Sequence, residues 1–547
     1  MAKKTFYDED ARTRVLGGAK ALYDAVKVTY GPKGRNVVIA KGYGGPTVTH
    51  DGVTVAESID LPEVDDETLG YKVGAELIKQ AAGKLNKSAG DGTTTVTVLT
   101  YSILKEANRL IAAGHNPMEL RKGIESAGAD VLKKLDALAE SIKGDKERVA
   151  EVATISAGDE TIGKLIADVM EKIGEDGVVT VEAGQGLEME SEVVEGFSLD
   201  RGWSSPFFVT DAGRQEAVYD KPAILVTDKK ISSAAEFVPM LERLAQAGKK
   251  DLVLFADEVD GEALSILILN RLKGVFNTVA VKAPAYGDRR KEVLADVAAL
   301  TGATVITDDL GLTFENASLE VLGSARKVIV GKDETTIIEG AGKKAGVTER
   351  VQLIRQQAVA TTSDYEREQF EKRAAALSGK VAVIRVGGAT ETEIDEKKFR
   401  VDDAVAATKA ALSEGVVAGG GVTLVNVASD IKANGGGDSE NAGRQILKNA
   451  LKEPFMQIMT NAGLNAQALL ADVEKSTAGK GVNVMKPEGE LIDLKAAGII
   501  DPVLVTKQAV QNAVSIASTA ATMGALVVDI PEKEAPAAGG NPGMGMY

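Results

Sequence analysis

Cysteine is absent from this 547-residue sequence, and histidine occurs only as His50 and His115. The first absence excludes disulfides, thiolate metal sites and cysteine nucleophiles. The second excludes a structural zinc site and leaves no Ser/His/Asp hydrolase set to argue for. Aromatic residues make up only 4%. The longest charge-free run, Gln508–Val528, carries Gln, Asn, Ser and Thr throughout, so it reads as a buried helix rather than a membrane span. The start, Met1 to Asp10, has two lysines with no apolar stretch behind them and is not a secretory signal. Together with the missing cysteine, this points to a cytoplasmic protein. Positive charge is the scarcer sign: 64 Lys and Arg against 80 Asp and Glu give a net charge of −16. Such a surface repels phosphate backbones, so no nucleic acid partner is expected. No G-x-x-x-x-G-K-[ST] occurs, so the chain is not a P-loop nucleotidase.

What is present is ordinary globular material. Hydrophobic residues make up 44% and charged residues 26%, enough to bury large cores and to exclude disorder as the main state. At roughly 100–200 residues per domain, the length corresponds to about three domains. The first section reads as helical, with a charge-free helix at Thr93–Ile103 and an amphipathic one at Pro117–Leu138. A helix without a polar face must be covered on all sides. Similar patterns return near the other end at Val401–Ala411, Asn441–Ala462 and Val510–Leu526. Two sections of the same type at opposite ends are expected to form one domain, with the middle inserted.

In the middle, strand and helix alternate. Ile162, Leu165, Ile166, Val169, Met170 and Ile173 mark one helical face, ended by Gly174 and Gly177, and Val178–Val181 follows as a strand. Strands are expected at Ile224–Val226, Leu252–Ala256, Val279–Lys282 and Thr304–Thr307, with helices at Glu236–Gln246, Gly261–Leu272 and Arg290–Thr301 between them. This argues for a partly parallel sheet flanked by helices. Val351–Leu377 reads as a long charged helix and Val381–Val386 as a strand. The Pro-, Ala- and Gly-rich tail Pro531–Tyr547 reads as a flexible extension.

The helix Gly261–Leu272 carries two apolar stripes: Ala263, Ile266 and Leu267 on one side, and Leu264, Ile268 and Leu272 nearly opposite. A helix flanking a sheet needs one. The second stripe is either further core or an exposed patch that binds non-native chains, and periodicity does not separate the two. The neighbouring helix is a milder case, and Trp203–Phe208 adds three aromatics in one short loop.

Gly90-Asp91-Gly92-Thr93-Thr94-Thr95 stands at the start of the buried helix. Glycines permit close backbone approach, a helix start favours phosphate, and Asp91 suits a hard cation such as Mg²⁺. The plainer reading is an N-cap. Thr29–Arg35 and Gly415–Gly421 are further Gly-rich turns. Gly340–Ala345 imitates a dinucleotide fingerprint but is too polar, and reads as an exposed connection. Asp51 and Asp403 are candidate carboxylates for activating water.

Six motifs occur in order: Thr-Tyr-Gly-Pro-Lys-Gly-Arg-Asn-Val, Asp-Gly-Val-Thr-Val-Ala, Gly-Asp-Gly-Thr-Thr-Thr, Asp-Arg-Gly-Trp-Ser-Ser-Pro-Phe-Phe, Lys-Ala-Pro-Ala-Tyr-Gly-Asp-Arg-Arg-Lys and Glu-Gly-Val-Val-Ala-Gly-Gly-Gly. Together they resemble the bacterial GroEL-type group I chaperonins over essentially the whole chain. The resemblance implies a multidomain α and α/β fold: a helical equatorial domain (1–137 and 414–530), a small α/β intermediate domain (138–194 and 381–413), an α/β apical domain (195–380) and a tail (531–547). It implies two stacked seven-membered rings, non-native polypeptides and a GroES-type cochaperonin as partners, no membrane, and ATP, Mg²⁺ and K⁺ as cofactors.

By the same resemblance, Thr29, Tyr30, Gly31, Pro32 and His50 line the nucleotide. Asp91, Gly92, Thr93, Thr94 and Thr95 form the phosphate loop, with Asp91 on the metal. Gly420 and Asp501 meet the ribose, and Asn483, Val484 and Met485 the adenine. Asp403 acts on the attacking water with help from Asp51. Trp203, Phe207, Phe208, Val238, Leu241, Leu264, Ile268 and Leu269 form the apolar binding face. The sequence departs from the family in several places. His50 replaces a usual Lys, Pro62–Lys79 is longer and more acidic, and Asn483-Val484-Met485 stands for Asn-Ala-Ala. The apical hinge reads Ser378-Gly379-Lys380, and the tail lacks a long Gly-Gly-Met repeat. Two other readings are a passive holdase and an ATP-using metabolic phosphotransferase.

Overall fold

The computed structural model describes residues 2–40, 46–63, 65–174, 177–184, 186–211, 213–285, 287–361, 363–486 and 490–530. The tail expected to be flexible lies outside these residues. The chain divides into two compact units, one formed by 1–168 and 387–547 and the other by 169–386.

The first unit is a helical assembly around Thr93–Ala112, which packs against Asp8–Val26, Tyr71–Ala89 and Val503–Ala521. The charge-free stretch of that helix is buried nearly all round, including Val96, Val98, Leu99, Ile103 and Leu104. Its threonines do not leave unpaired hydroxyls in the core: Thr97 and Thr100 donate back to the carbonyls four residues earlier, at 2.9 and 2.7 Å. Pro117–Leu138 forms with the bounds its pattern predicts. Its first turn holds Pro117, and Asn116 Oδ1 accepts from the Met118 amide at 2.9 Å.

Two helical expectations in this unit are corrected. Asn441–Ala462 is not one helix but parts of two, Asp438–Ala450 and Glu453–Asn461. Pro454 has no N–H to continue a helix and sits in the first turn of the second. The charge-free run near the C-terminus stays helical only to Ala521. Beyond it Ala525–Asp529 is a strand with Leu526 and Val528 buried and Ala525, Val527 and Asp529 exposed, a period of two. It pairs antiparallel with Lys3–Tyr7, in register Lys3 to Asp529.

The second unit holds a nine-stranded mixed sheet. Asn277–Lys282, Asp251–Ala256 and Ala223–Val226 run parallel, joined through Gly261–Leu272 and Ala234–Gln246. The order continues through Gly323–Val330, Thr335–Gly340, Glu190–Leu199, Lys380–Val386 and Val178–Ala183, and the ninth strand, Ala217–Asp220, pairs with Gly323–Val330 off this path. The core lies on this sheet, with Ile224, Leu225, Val253, Leu254, Phe255 and Val279 fully covered.

Thr304–Thr307 does not become a strand. Only Ile306 bridges to Thr227, because Gly323 and Ser324 already pair with Ile224 and Ala223. The long charged pattern is two helices, Lys344–Ala360 and Asp364–Leu377. They are tied to Asp288–Thr301 through buried Asp296, which accepts from Arg350 Nε at 2.6 Å and Arg373 Nε at 2.8 Å. No described helix is long and apolar enough to cross a membrane.

Candidate functional site

The candidate nucleotide residues all lie in the first unit, and Asp91–Thr95 stand at the start of Thr93–Ala112. Gly92 precedes this helix with φ +85°, a left-handed conformation that a side chain would strain. Its N–H donates to Asp91 Oδ1 at 2.5 Å, and Ser156 Oγ lies 3.4 Å from Asp91 Oδ2. Asp51 arrives on a second turn and caps Gly52–Ser58. It accepts from the Val53 and Thr54 amides at 3.0 and 2.8 Å and from Thr54 Oγ1 at 2.6 Å. Gly52 presses on the phosphate-loop hydroxyls: a Cβ there would lie 3.1 Å from Thr93 Oγ1 and closer still to Thr94 Oγ1.

Asp403 comes from Glu391–Glu414, and a Cβ on Gly90 would clash with Ala406 of the same helix. Asp501 sits in the short strand Ile500–Pro502, paired with Val416–Ala418. A Cβ on Gly419 would lie 2.8 Å from Asp501 Oδ1, and Gly420 has φ +62° with nothing within 4 Å of where its Cβ would be. Gly420 thus borders open space beside Asp501, as a ribose-facing glycine requires.

Asp91, Asp403 and Asp501 are each only partly covered, so a ligand reaches them, yet they lie deep enough to lose hydration. Burial pushes Asp91 above the usual carboxylate range, with Asp51 adding to the rise. It pushes Asp403 well above that range, with Asp51, Asp91 and Asp402 adding repulsion. Asp501 is pushed up to about 7 by burial and by Asp91. These acids therefore share one field and favour a cation among them. Among the described residues, no group of three His, Asp or Glu side chains forms a metal site alone. A metal bound by one or two carboxylates, with phosphate oxygens and water completing its shell, is the ordinary habit of Mg²⁺. The residues present therefore fit a Mg²⁺–nucleotide pair, held at Asp91.

The remaining candidates divide. Tyr30 joins the cleft: its hydroxyl meets Thr95 Oγ1 at 2.7 Å, and burial raises its pKa. Thr29 is buried and donates to the Val26 carbonyl, so its hydroxyl serves the turn, while Pro32 is exposed. His50 is half-buried against Gly34. Burial lowers its pKa and Arg400 adds to this, against Glu396 and Asp51, so the ring holds its proton less readily than a free imidazole. Val484 is buried in a cluster against which Tyr30 packs, Asn483 Oδ1 accepts from the Met485 amide at 3.0 Å, and Met485 itself is exposed. Ser156 on Asp91 was not legible beforehand, since nothing in its local sequence marks it.

The apolar set lies in the second unit and is mixed. Helix Gly261–Leu272 buries Ala263 and Leu267 and leaves Leu264 and Ile268 half-covered, with Leu269 52% and Leu272 63% exposed. Phe207 is 60% exposed and is held beside this helix, because Arg271 Nη1 donates to its carbonyl at 2.5 Å. Val238 is half-buried. Trp203 packs against the core, with Nε1 donating to the Gln215 carbonyl at 3.1 Å. Phe208 and Leu241 are corrections: at 0% and 5% exposure both belong to the core. The turn Pro206–Phe208 exposes Phe207 and buries Phe208, and Leu241 follows the buried stripe of Phe237, Met240 and Leu244.

The TCP-1/cpn60 chaperonin family matches residues 22–530, and the chain belongs to that family. Among solved structures it is similar to the chaperonin gp146 from the bacteriophage EL 2 (Pseudomonas aeruginosa), a crystal structure in the presence of ATP-BeFx. The match has a TM-score of 0.65 at 21% identity and covers 97% of this chain and 99% of that one.

Proposed function

We propose that this chaperonin is of the bacterial GroEL type: a cytoplasmic ATPase that captures non-native polypeptides and, with a GroES-type cochaperonin, encloses them for folding. The observation that carries the nucleotide half is the meeting of Asp51, Asp91, Asp403 and Asp501 at the start of Thr93–Ala112, in a field that favours a cation. Supporting it, a chaperonin of similar fold was crystallised with ATP-BeFx. The exposed apolar groups Phe207, Leu269 and Leu272 support the capture half. The six-segment division into equatorial, intermediate and apical domains and a tail, two seven-membered rings and a K⁺ requirement belong to the same reading.

Asp91 would hold Mg²⁺, which supplies charge neutralisation at the phosphates; phosphoryl transfer needs mainly positioning and such neutralisation. Thr93 and its neighbours offer free helix-start N–H groups to phosphate oxygens. Asp403 is the proton acceptor for water. Its lifted pKa makes it a stronger base than a surface carboxylate. Asp51 has its oxygens committed to the Gly52–Ser58 cap, so it acts on Asp403 as a fixed charge. Asp501 accepts from ribose hydroxyls beside Gly420. Tyr30 and Val484 line the base side of the cleft.

Asp403→Ala tests the reading: ATP hydrolysis collapses while ATP and denatured protein still bind. Unchanged turnover would remove Asp403 from the mechanism, and capture without any hydrolysis in the parent protein would leave a holdase.

A further inference from the structure

One helix, Glu453–Asn461, backs three segments of the proposed cleft. Phe455 lies against the glycine turn, where a Cβ on Gly421 would come 2.8 Å from its amide nitrogen. Ile458 lies under Gly31, where a Cβ would come 3.2 Å from its side chain. Val482 and Val484 pack in the same cluster as Phe455 and Ile458, with Tyr30 against it. At the end of the helix, Asn461 Nδ2 donates to two main-chain carbonyls, of Lys27 at 2.8 Å and Tyr30 at 2.9 Å.

The direction of that amide is set from behind. Gln457 Nε2 donates to Asn461 Oδ1 at 2.8 Å, and the Tyr23 hydroxyl donates to Gln457 Oε1 at 3.4 Å. The Tyr23 ring stacks on Tyr101 of Thr93–Ala112, with centroids 4.3 Å apart. Only the nitrogen of an amide can face two carbonyls; its oxygen would repel both. The turn pinned in this way ends in Tyr30, whose hydroxyl reaches Thr95 in the phosphate loop.

We propose that Asn461 is a positioning residue for nucleotide binding: it fastens the Lys27–Tyr30 turn to its helix and so fixes the width of the cleft between that turn and the start of Thr93–Ala112. It acts through the turn and touches no nucleotide. The assignment rests on the nucleotide reading above and deepens it with a residue that no motif marks.

The test is Asn461→Asp in the full-length protein. The change keeps the size and still accepts from Gln457, but it sets an oxygen against both carbonyls. ADP is titrated by calorimetry, and amide hydrogen exchange of residues 27–33 and the melting temperature are followed alongside. The ADP dissociation constant is expected to rise about tenfold, as for the loss of a hydrogen-bonded pair of this kind. Exchange should quicken selectively in residues 27–33. The KM for ATP should rise in step, while kcat changes less than about threefold.

A purely structural role would lower the melting temperature and leave ADP affinity and KM of the folded protein unchanged, which overturns the proposal. If the parent protein itself fails to bind ADP, the nucleotide reading falls and this assignment with it. If the parent binds and Asn461→Asp binds equally well, only the assignment falls. Should Asn461→Asp not fold, Gln457→Glu removes the donor that orients the Asn461 amide. It should weaken ADP by about two- to fivefold, and unchanged affinity there overturns the proposal equally.

Discussion

The two units break opposite rules of folding. In the first, acids lie where charge is poorly solvated: Asp91, at the start of one helix, repels both Asp403 and Asp501. In the second, large apolar groups lie where water reaches them: Phe207, Leu269 and Leu272 stay uncovered although the sheet beneath has a well-filled core. Each arrangement costs stability, and each is relieved by a different ligand, a cation with its anion in one case and an apolar chain in the other. Departures from local consistency cluster at functional sites, and these two departures call for two chemistries.

Asp403→Ala should produce the largest effect. ATP hydrolysis is expected to fall at least about a hundredfold, as for loss of a general base, with capture of denatured protein retained. Steady-state phosphate release checks it. Parent turnover should also rise with pH above the usual carboxylate range, since only ionised Asp403 accepts a proton and burial lifts its pKa, and this rise should vanish in the variant.

Next in size is a contrast within the second unit. Phe208→Ala empties a core site and should destabilise the protein by about 3–5 kcal/mol. Leu269→Ser with Leu272→Ser, at exposed positions, should change stability by no more than about 1 kcal/mol while abolishing capture. Chemical denaturation beside a light-scattering capture assay separates them. If Phe208→Ala leaves stability unchanged, the division between core and face is misplaced.

A smaller effect sharpens the acid side. With its folded pKa lifted to about 7, Asp501 contributes stability that is fully present below its unfolded pKa of about 4 and lost as pH rises to about 7. Asp501→Asn should therefore match the parent near pH 4. It should exceed the parent by on the order of 2–4 kcal/mol above pH 7 without nucleotide. Urea melts at several pH values give the curve, and a flat difference would remove Asp501 from the strained cluster. ATP affinity should fall in the same variant.

Local pattern carried much of this into the sequence. Thr93–Ile103, Pro117–Leu138 and the parallel strands around Leu252–Ala256 were legible because period and punctuation agree there. The end of Val510–Leu526 was not, because a charge-free run scores as helix or strand alike, and it becomes a strand past Ala521 only when Lys3–Tyr7 pairs with it. Phe207 and Phe208 are neighbours of one type, and only the turn at Pro206 decides which is buried. The carboxylates of the cleft come from four separate stretches, so their common field exists only in the fold. Motif resemblance named them, but it did not show that Asp51 is bound up as a cap, nor that Ser156 reaches Asp91.

The central claim is that the two strained regions serve separable chemistries. Its most direct test measures ATP turnover and capture of a denatured protein side by side in Asp403→Ala and in the Leu269→Ser, Leu272→Ser pair. The account predicts a crossed result: the first variant captures without turning over, and the second turns over without capturing. A variant that loses both activities while remaining folded, or a pair that loses neither, would contradict it.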